Sequence, residues 1–168
     1  IDYRRMDAER MEFGEGAFDK AVSFCVIEHF EDDVLVLGNI ARALRPGGRL
    51  VLSADSLSNP EVRPAEREAH RRRYAVRTFY TEEVLREKLG RAGLELVRTR
   101  YILTAPLTLA LVRLSWKLDN LPRAVEPLAA AAKVALGIFG RPASALAERR
   151  SGRTDSGLTI LAVARKPQ

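Results

Sequence analysis

Cysteine is almost missing from this 168-residue chain: Cys25 is its single example. A lone thiol excludes an internal disulfide and any cysteine-rich zinc site, and no metal site is expected. Long hydrophobic runs are missing as well. The longest uncharged apolar stretch, Tyr101 to Val112, contains Pro106 and is too short to span a bilayer. No basic-then-apolar leader is visible, and the chain does not begin with Met. The expectation is a fragment or trimmed product, located in the cytosol. Lysine is scarce, so the net charge of +6 rests on arginine. Its densest run holds Arg63, Arg67, Arg71, Arg72, Arg73 and Arg77, with Glu66 and Glu68 interleaved. Aromatics are only 7% of the chain, too few to supply base-stacking platforms there. No nucleic-acid module is recognisable, so nucleic acid is not an expected partner.

What is present alternates between two periodicities. Ile1 to Met6 reads as the end of a strand, with Asp7-Ala8-Glu9 at its C-terminal edge. Ala21 to Ile27 is almost uniformly apolar and rich in β-formers, the pattern of a strand covered on both faces in a parallel sheet. Glu31, Asp32 and Asp33 load negative charge where a helix begins. Leu37, Ile40, Ala41 and Leu44 follow at helical spacing. Pro46-Gly47-Gly48 ends that helix, and Arg49 to Ala54 is the next strand. Strand, helix and strand at this spacing form a βαβ unit.

Ala65 to Val76 reads as a charged helix. Thr81 caps another, which stops at Gly93, and Leu94 to Leu103 is a further strand. Leu107, Leu111, Leu114, Leu118 and Leu121 then recur on one helical face. Val125, Leu128, Ala129, Ala132 and Leu136 mark a second, with Pro122, Pro127 and Pro142 as punctuation. The last strand spans Leu158 to Ala164.

Phe18-Asp19 through Glu28-His29-Phe30, followed by Leu44-Arg45-Pro46-Gly47-Gly48 to Leu52, resembles the second half of a class I S-adenosylmethionine-dependent methyltransferase. Arg91-Ala92-Gly93-Leu94 resembles the turn before the family's sixth strand. Gly157-Leu158 to Lys166 resembles its closing strand. The resemblance implies an α/β fold with a Rossmann-like methyltransferase sheet. Family strands three to seven would be present and strands one and two absent. A helical insert, 105–147, precedes the last strand. The whole of 1–168 is then expected to be the C-terminal part of one methyltransferase domain.

The resemblance also implies roles. Asp7 and Ala8 match the acid-plus-small pair that holds the adenine of the cofactor S-adenosyl-L-methionine. Phe24 and Cys25 sit where the family's backbone passes the methionine part. His29 falls where many small-molecule O-methyltransferases carry a histidine, and a histidine near a substrate hydroxyl can act as general base. The other reading of His29 is that it shapes the strand-to-helix turn. Cys25 also reads as a small buried hydrophobe.

The family's glycine-rich loop and ribose-binding acid are not found: no Gly-x-Gly precedes a helix in this sequence. Without family strand one, Ala21 to Ile27 becomes an exposed apolar edge, and self-association is expected. The Asn/Asp-Pro-Pro-Tyr motif of DNA amino-methyltransferases is also missing. The expected activity of the complete protein is methyl transfer to a small-molecule acceptor, an apolar one among the options, with the fragment alone inactive. The alternative is a non-catalytic α/β interaction domain on the same fold. The leucine faces of 105–147 suit a substrate lid, a dimer contact or peripheral membrane contact, or a helical cap that completes the core.

Overall fold

The computed structural model describes residues 2–119, 121–122, 125–152 and 154–168. Its framework is a four-stranded sheet. The strands are β1 (Phe18–Phe24), β2 (Leu44–Asp55), β3 (Glu95–Ile102) and β4 (Thr159–Arg165). Their order is β1-β2-β4-β3. β1 runs parallel to β2, while β4 is antiparallel to both β2 and β3. One reversed strand at the end of the chain is the arrangement the resemblance implies.

Helix α1 (Asp33–Ala43) connects β1 to β2. The Asp32 carboxylate accepts from the Leu35 N–H at 2.9 Å, which satisfies a donor that the first turn would leave orphaned. Val36, Leu37, Ile40 and Ala41 form its buried face against Leu50, Leu52 and Ala54 of β2. Helix α3 (Glu82–Arg91) adds Leu85 and Leu89 to the same core, with Thr81 as its N-cap. Each fully buried leucine contributes about 1.5–3 kcal/mol. A buried polar pin crosses this layer. The Tyr80 hydroxyl and the Lys88 ammonium both donate to the Asp33 carboxylate. Burial and the Asp33 charge drive the Tyr80 pKa strongly upward, so the phenol stays protonated as a donor.

Helix α2 (Pro64–Tyr74) carries the arginine run. Its charges are largely engaged locally: Arg113 donates to both Glu66 oxygens at 2.9 Å, and Arg67 and Arg71 lie over the Phe79 ring. The insert forms α4 (Pro106–Asp119), α5 (Glu126–Ala135) and α6 (Arg141–Ser151). Pro127 and Pro142 each lie in a first turn, where a missing N–H costs nothing. A wide five-residue turn, Leu136–Gly140, joins α5 to α6 without a break. Leu109 anchors α4 in a second apolar cluster with Leu57, Val76, Phe79 and Leu158. Much of the leucine face stays open: Leu114 and Leu121 are 46% exposed and Leu128 is 73% exposed. Among the described residues no helix is long and apolar enough to cross a membrane.

Two expectations need correction. Residues 2–6 form no strand, and Ile1 lies outside the described residues. No strand pairs with this segment among the described residues, and a strand without a ladder partner has nothing to hold it extended. β1 is not covered on both faces either. It is an edge strand that ends at Phe24, because Cys25 turns to a φ of +48°. Val22 and Phe24 are 67% and 60% exposed.

Candidate functional site

The C-terminal ends of β1 and β2 lie side by side, since parallel pairing matches Phe24 with Ser53. In doubly wound sheets ligands bind outside such strand ends. Immediately beyond β1 the chain makes a tight turn. Cys25 takes up a left-handed conformation, held by its N–H donating to the Ser53 carbonyl at 3.0 Å and to Ser53 Oγ at 3.1 Å. Its Sγ lies 3.3 Å from the same hydroxyl. Partial burial pushes the thiol pKa up; the Ser53 hydrogen bond opposes this, and the charges of Glu28 and Asp55 add to the rise.

A one-turn 3₁₀ helix, Ile27–His29, follows. It sends Glu28 inward and His29 outward. Glu28 is 1% exposed. Its Oε1 accepts from the Asp55 N–H at 3.3 Å, while Oε2 is buried with no hydrogen-bond partner. Its backbone carbonyl accepts from Arg77 N–H at 2.7 Å, which ties the turn to the segment after α2. Burial holds the Glu28 carboxyl above the usual range, and the nearby Asp55 charge pushes the same way. The His29 imidazole is exposed and has no side-chain hydrogen bond among the described residues. It is free to meet a ligand.

Asp55, the last residue of β2, is the second acid. His70 Nε2 lies 2.6 Å from its Oδ2, with side-chain exposures of only 12% and 19%. The imidazole is packed between the rings of Tyr74 and Trp116, at 4.6 and 5.4 Å. Its Nδ1 is buried without a partner.

The residues expected to hold the cofactor separate into two places. Ala8 and Phe24 line one groove of about 470 Å³, together with Phe18, Val22, Val26 and Ile40. Cys25 and His29 are not part of that lining. Asp7 does not line it either. Its carboxylate caps the short turn Ala8–Arg10 by accepting from the Glu9 N–H at 3.0 Å. That turn is fixed to the fold by Asn39, whose amide donates to the carbonyls of Ala8 and Glu9 at 3.1 and 2.9 Å.

Sequence reasoning missed the roles of Glu28, Asp55 and His70. Asp55 carries a usable signal, an acid closing an apolar parallel strand. His70 carries none, since only the tertiary fold draws it out of the arginine run.

The family model of the methyltransferase domain matches residues 1–52. No curated protein matches the chain. Solved structures do. The [4+2]-cyclase SpnF superposes with a TM-score of 0.62 at 20% identity, covering 99% of this chain and 57% of the cyclase. Phosphoethanolamine N-methyltransferase 2 of Haemonchus contortus, in complex with S-adenosyl-L-methionine, gives 0.58 at 19% identity, with 96% and 36% covered. An S-adenosylmethionine-dependent methyltransferase from Mesorhizobium loti gives 0.57 at 16% identity, with 97% and 68% covered. The chain thus spans little more than half the length of SpnF and about a third of the N-methyltransferase. The methyltransferase family model thus matches residues 1–52, and nearly the whole chain has the fold of the class I S-adenosylmethionine-dependent methyltransferases.

Proposed function

We propose that this chain serves S-adenosyl-L-methionine-dependent methyl transfer to a small-molecule acceptor, as the C-terminal part of a longer domain. The observation that carries the proposal is the β1–α1–β2 unit. All of it up to residue 52 falls in the stretch matched by the methyltransferase family, and its strand ends bring Cys25, Glu28 and Asp55 within 4.8 Å of one another, with His29 next to Glu28 in the chain. S-adenosyl-L-methionine supplies a sulfonium-activated methyl group that an acceptor attacks in line. The protein's contribution is then mostly positioning. In this reading Asp7 and Ala8 serve the adenine, and Phe24 and Cys25 the methionine end. His29, exposed and without a partner, takes the proton that a hydroxyl or ammonium acceptor loses. The acid-rich surroundings of His29 suit a polar or cationic acceptor better than the apolar one the leucine faces suggest. The site of action is the cytosol or a membrane surface touched by the insert.

The fold alone does not fix the reaction, since SpnF shares it and is a cyclase. Calorimetric titration of S-adenosylhomocysteine decides. The reading expects weak or no binding to these 168 residues, because no Gly-x-Gly loop precedes a helix in them, and firm binding to the product of the complete gene. No binding by either sinks methyl transfer and leaves the interaction domain. In the active protein, His29→Ala should lower turnover by about 10²–10⁴-fold, the usual contribution of a general base, and leave cofactor affinity nearly unchanged. Unchanged turnover removes His29 from the mechanism.

A further inference from the structure

Cys25 Sγ, a Glu28 carboxylate oxygen and an Asp55 carboxylate oxygen all lie within 4.8 Å of one another. Acids at a strand end can be solvated and idle, but Glu28 cannot be. It is 1% exposed, and its Oε2 has no hydrogen-bond partner. Buried carboxylate oxygens almost always have one. No lysine or arginine side chain bonds to Glu28, Asp55 or the thiol among the described residues.

From this we infer that Cys25, Glu28 and Asp55 form a binding site for a divalent transition-metal ion of the zinc class. The donor set chooses the ion. Carboxylates alone would suit magnesium or calcium, and an ammonium ion would gain little from sulfur. A thiolate beside two carboxylates favours a borderline ion such as Zn²⁺ or Co²⁺. Bond lengths of roughly 2.0–2.3 Å bring ligands to within about 4 Å of each other, so small side-chain rotations close the site. The surroundings fit a metal site. Asp55 is held from behind by His70 and the thiol by Ser53 Oγ, the outer hydrogen bonds that orient metal ligands. Three protein ligands leave a fourth position free, on the exposed side at Cys25, for water or for an oxygen or nitrogen of a bound molecule. The sequence gives no hint of this, since its three ligands come from two strand ends and show no ligand spacing.

The test needs no turnover. The 168-residue chain, stripped with chelator, is titrated with Co²⁺ and followed by absorption. Binding of one ion per chain with a thiolate-to-cobalt charge-transfer band is expected, and Zn²⁺ should abolish the band. Cys25 is the single cysteine, so the band reports that ligand alone. Cys25→Ser should lose it while keeping the native circular dichroism spectrum. His70→Phe should weaken binding about 10–100-fold, the usual cost of losing an outer partner. Absence of the band in natively folded chain overturns the proposal, and Glu28 Oε2 is then satisfied by a water or a proton. Survival of cobalt binding without the band also overturns it, because the ion would then sit elsewhere.

Discussion

β1 and β2 are built from nearly the same residues and live in opposite surroundings. Ala21-Val22-Ser23-Phe24 in one and Leu50-Val51-Leu52-Ser53-Ala54 in the other are equally apolar. Yet Leu50, Leu52 and Ala54 are fully buried, while Val22 and Phe24 are mostly exposed. The difference is the number of neighbours. β2 has β1 on one side and β4 on the other, with α1 over one face. Among the described residues β1 pairs with β2 alone, and its outer edge lies beside an apolar groove. An apolar run thus states what a strand requires, and the rest of the fold determines whether it is met.

The comparison can be broken most sharply by truncation. Leu52→Ala should cost about 2–5 kcal/mol in urea unfolding, the range for a buried leucine. Val22→Ala should stay within about 0.5 kcal/mol, as exposed positions do. Equal costs would mean that β1 is covered in solution. Gly157→Ala probes the second neighbour of β2. A Cβ there would lie 2.5 Å from the Ile102 carbonyl oxygen, just where the chain enters β4. The strain should cost about 1–3 kcal/mol, and an unchanged melting point would show that this entry is loose. On the open edge, Val22→Lys should weaken self-association about tenfold, or roughly 1.4 kcal/mol, in sedimentation velocity. A wild-type chain that sediments as a monomer removes the edge from consideration.

The smallest effect lies away from both strands. Hydrogen bonds from Arg113 and then Arg63 lower the Glu66 pKa from 4.5 to about 2. A depressed folded-state pKa means stability that is complete above 4.5 and is lost as pH falls through about 2. Glu66→Gln should remove that part of the acid sensitivity, by under about 1 kcal/mol since the site is partly screened. Parallel melting curves for both proteins across this window would show that the pair does nothing.

Local chemistry was legible in the sequence. Asp32 and Asp33 and the Leu37–Ile40–Ala41 face placed α1 between two strands, although Pro46-Gly47-Gly48, read as the turn that ends the helix, lies inside β2. The Thr81 cap, the Gly93 stop and the final strand were equally readable, because each depends on neighbours in the chain. Long-range requirements were not. Residues 2–6 read as a strand and are none, since pairing is a property of two segments. Glu28 read as half of an acid–histidine pair, although its neighbour points out and it points in. The contact of His70 with Asp55 joins a charged helix to a strand end, and no periodicity encodes it.

The position of β4 carries a consequence for how the molecule comes into being. Asp55 at the end of β2 pairs with Thr159, and Ile102 at the end of β3 pairs with the same residue. The strand that joins the two sides of the sheet is therefore the last of the four to leave the ribosome. Until it emerges, β2 has one edge paired with β1 and the other open, and β3 has no strand partner. The whole insert must be synthesised while the sheet waits with a slot at its centre. Until then the open edges of β2 and β3 are exposed to aggregation, and loss of the final segment would leave β2 and β3 with no strand between them.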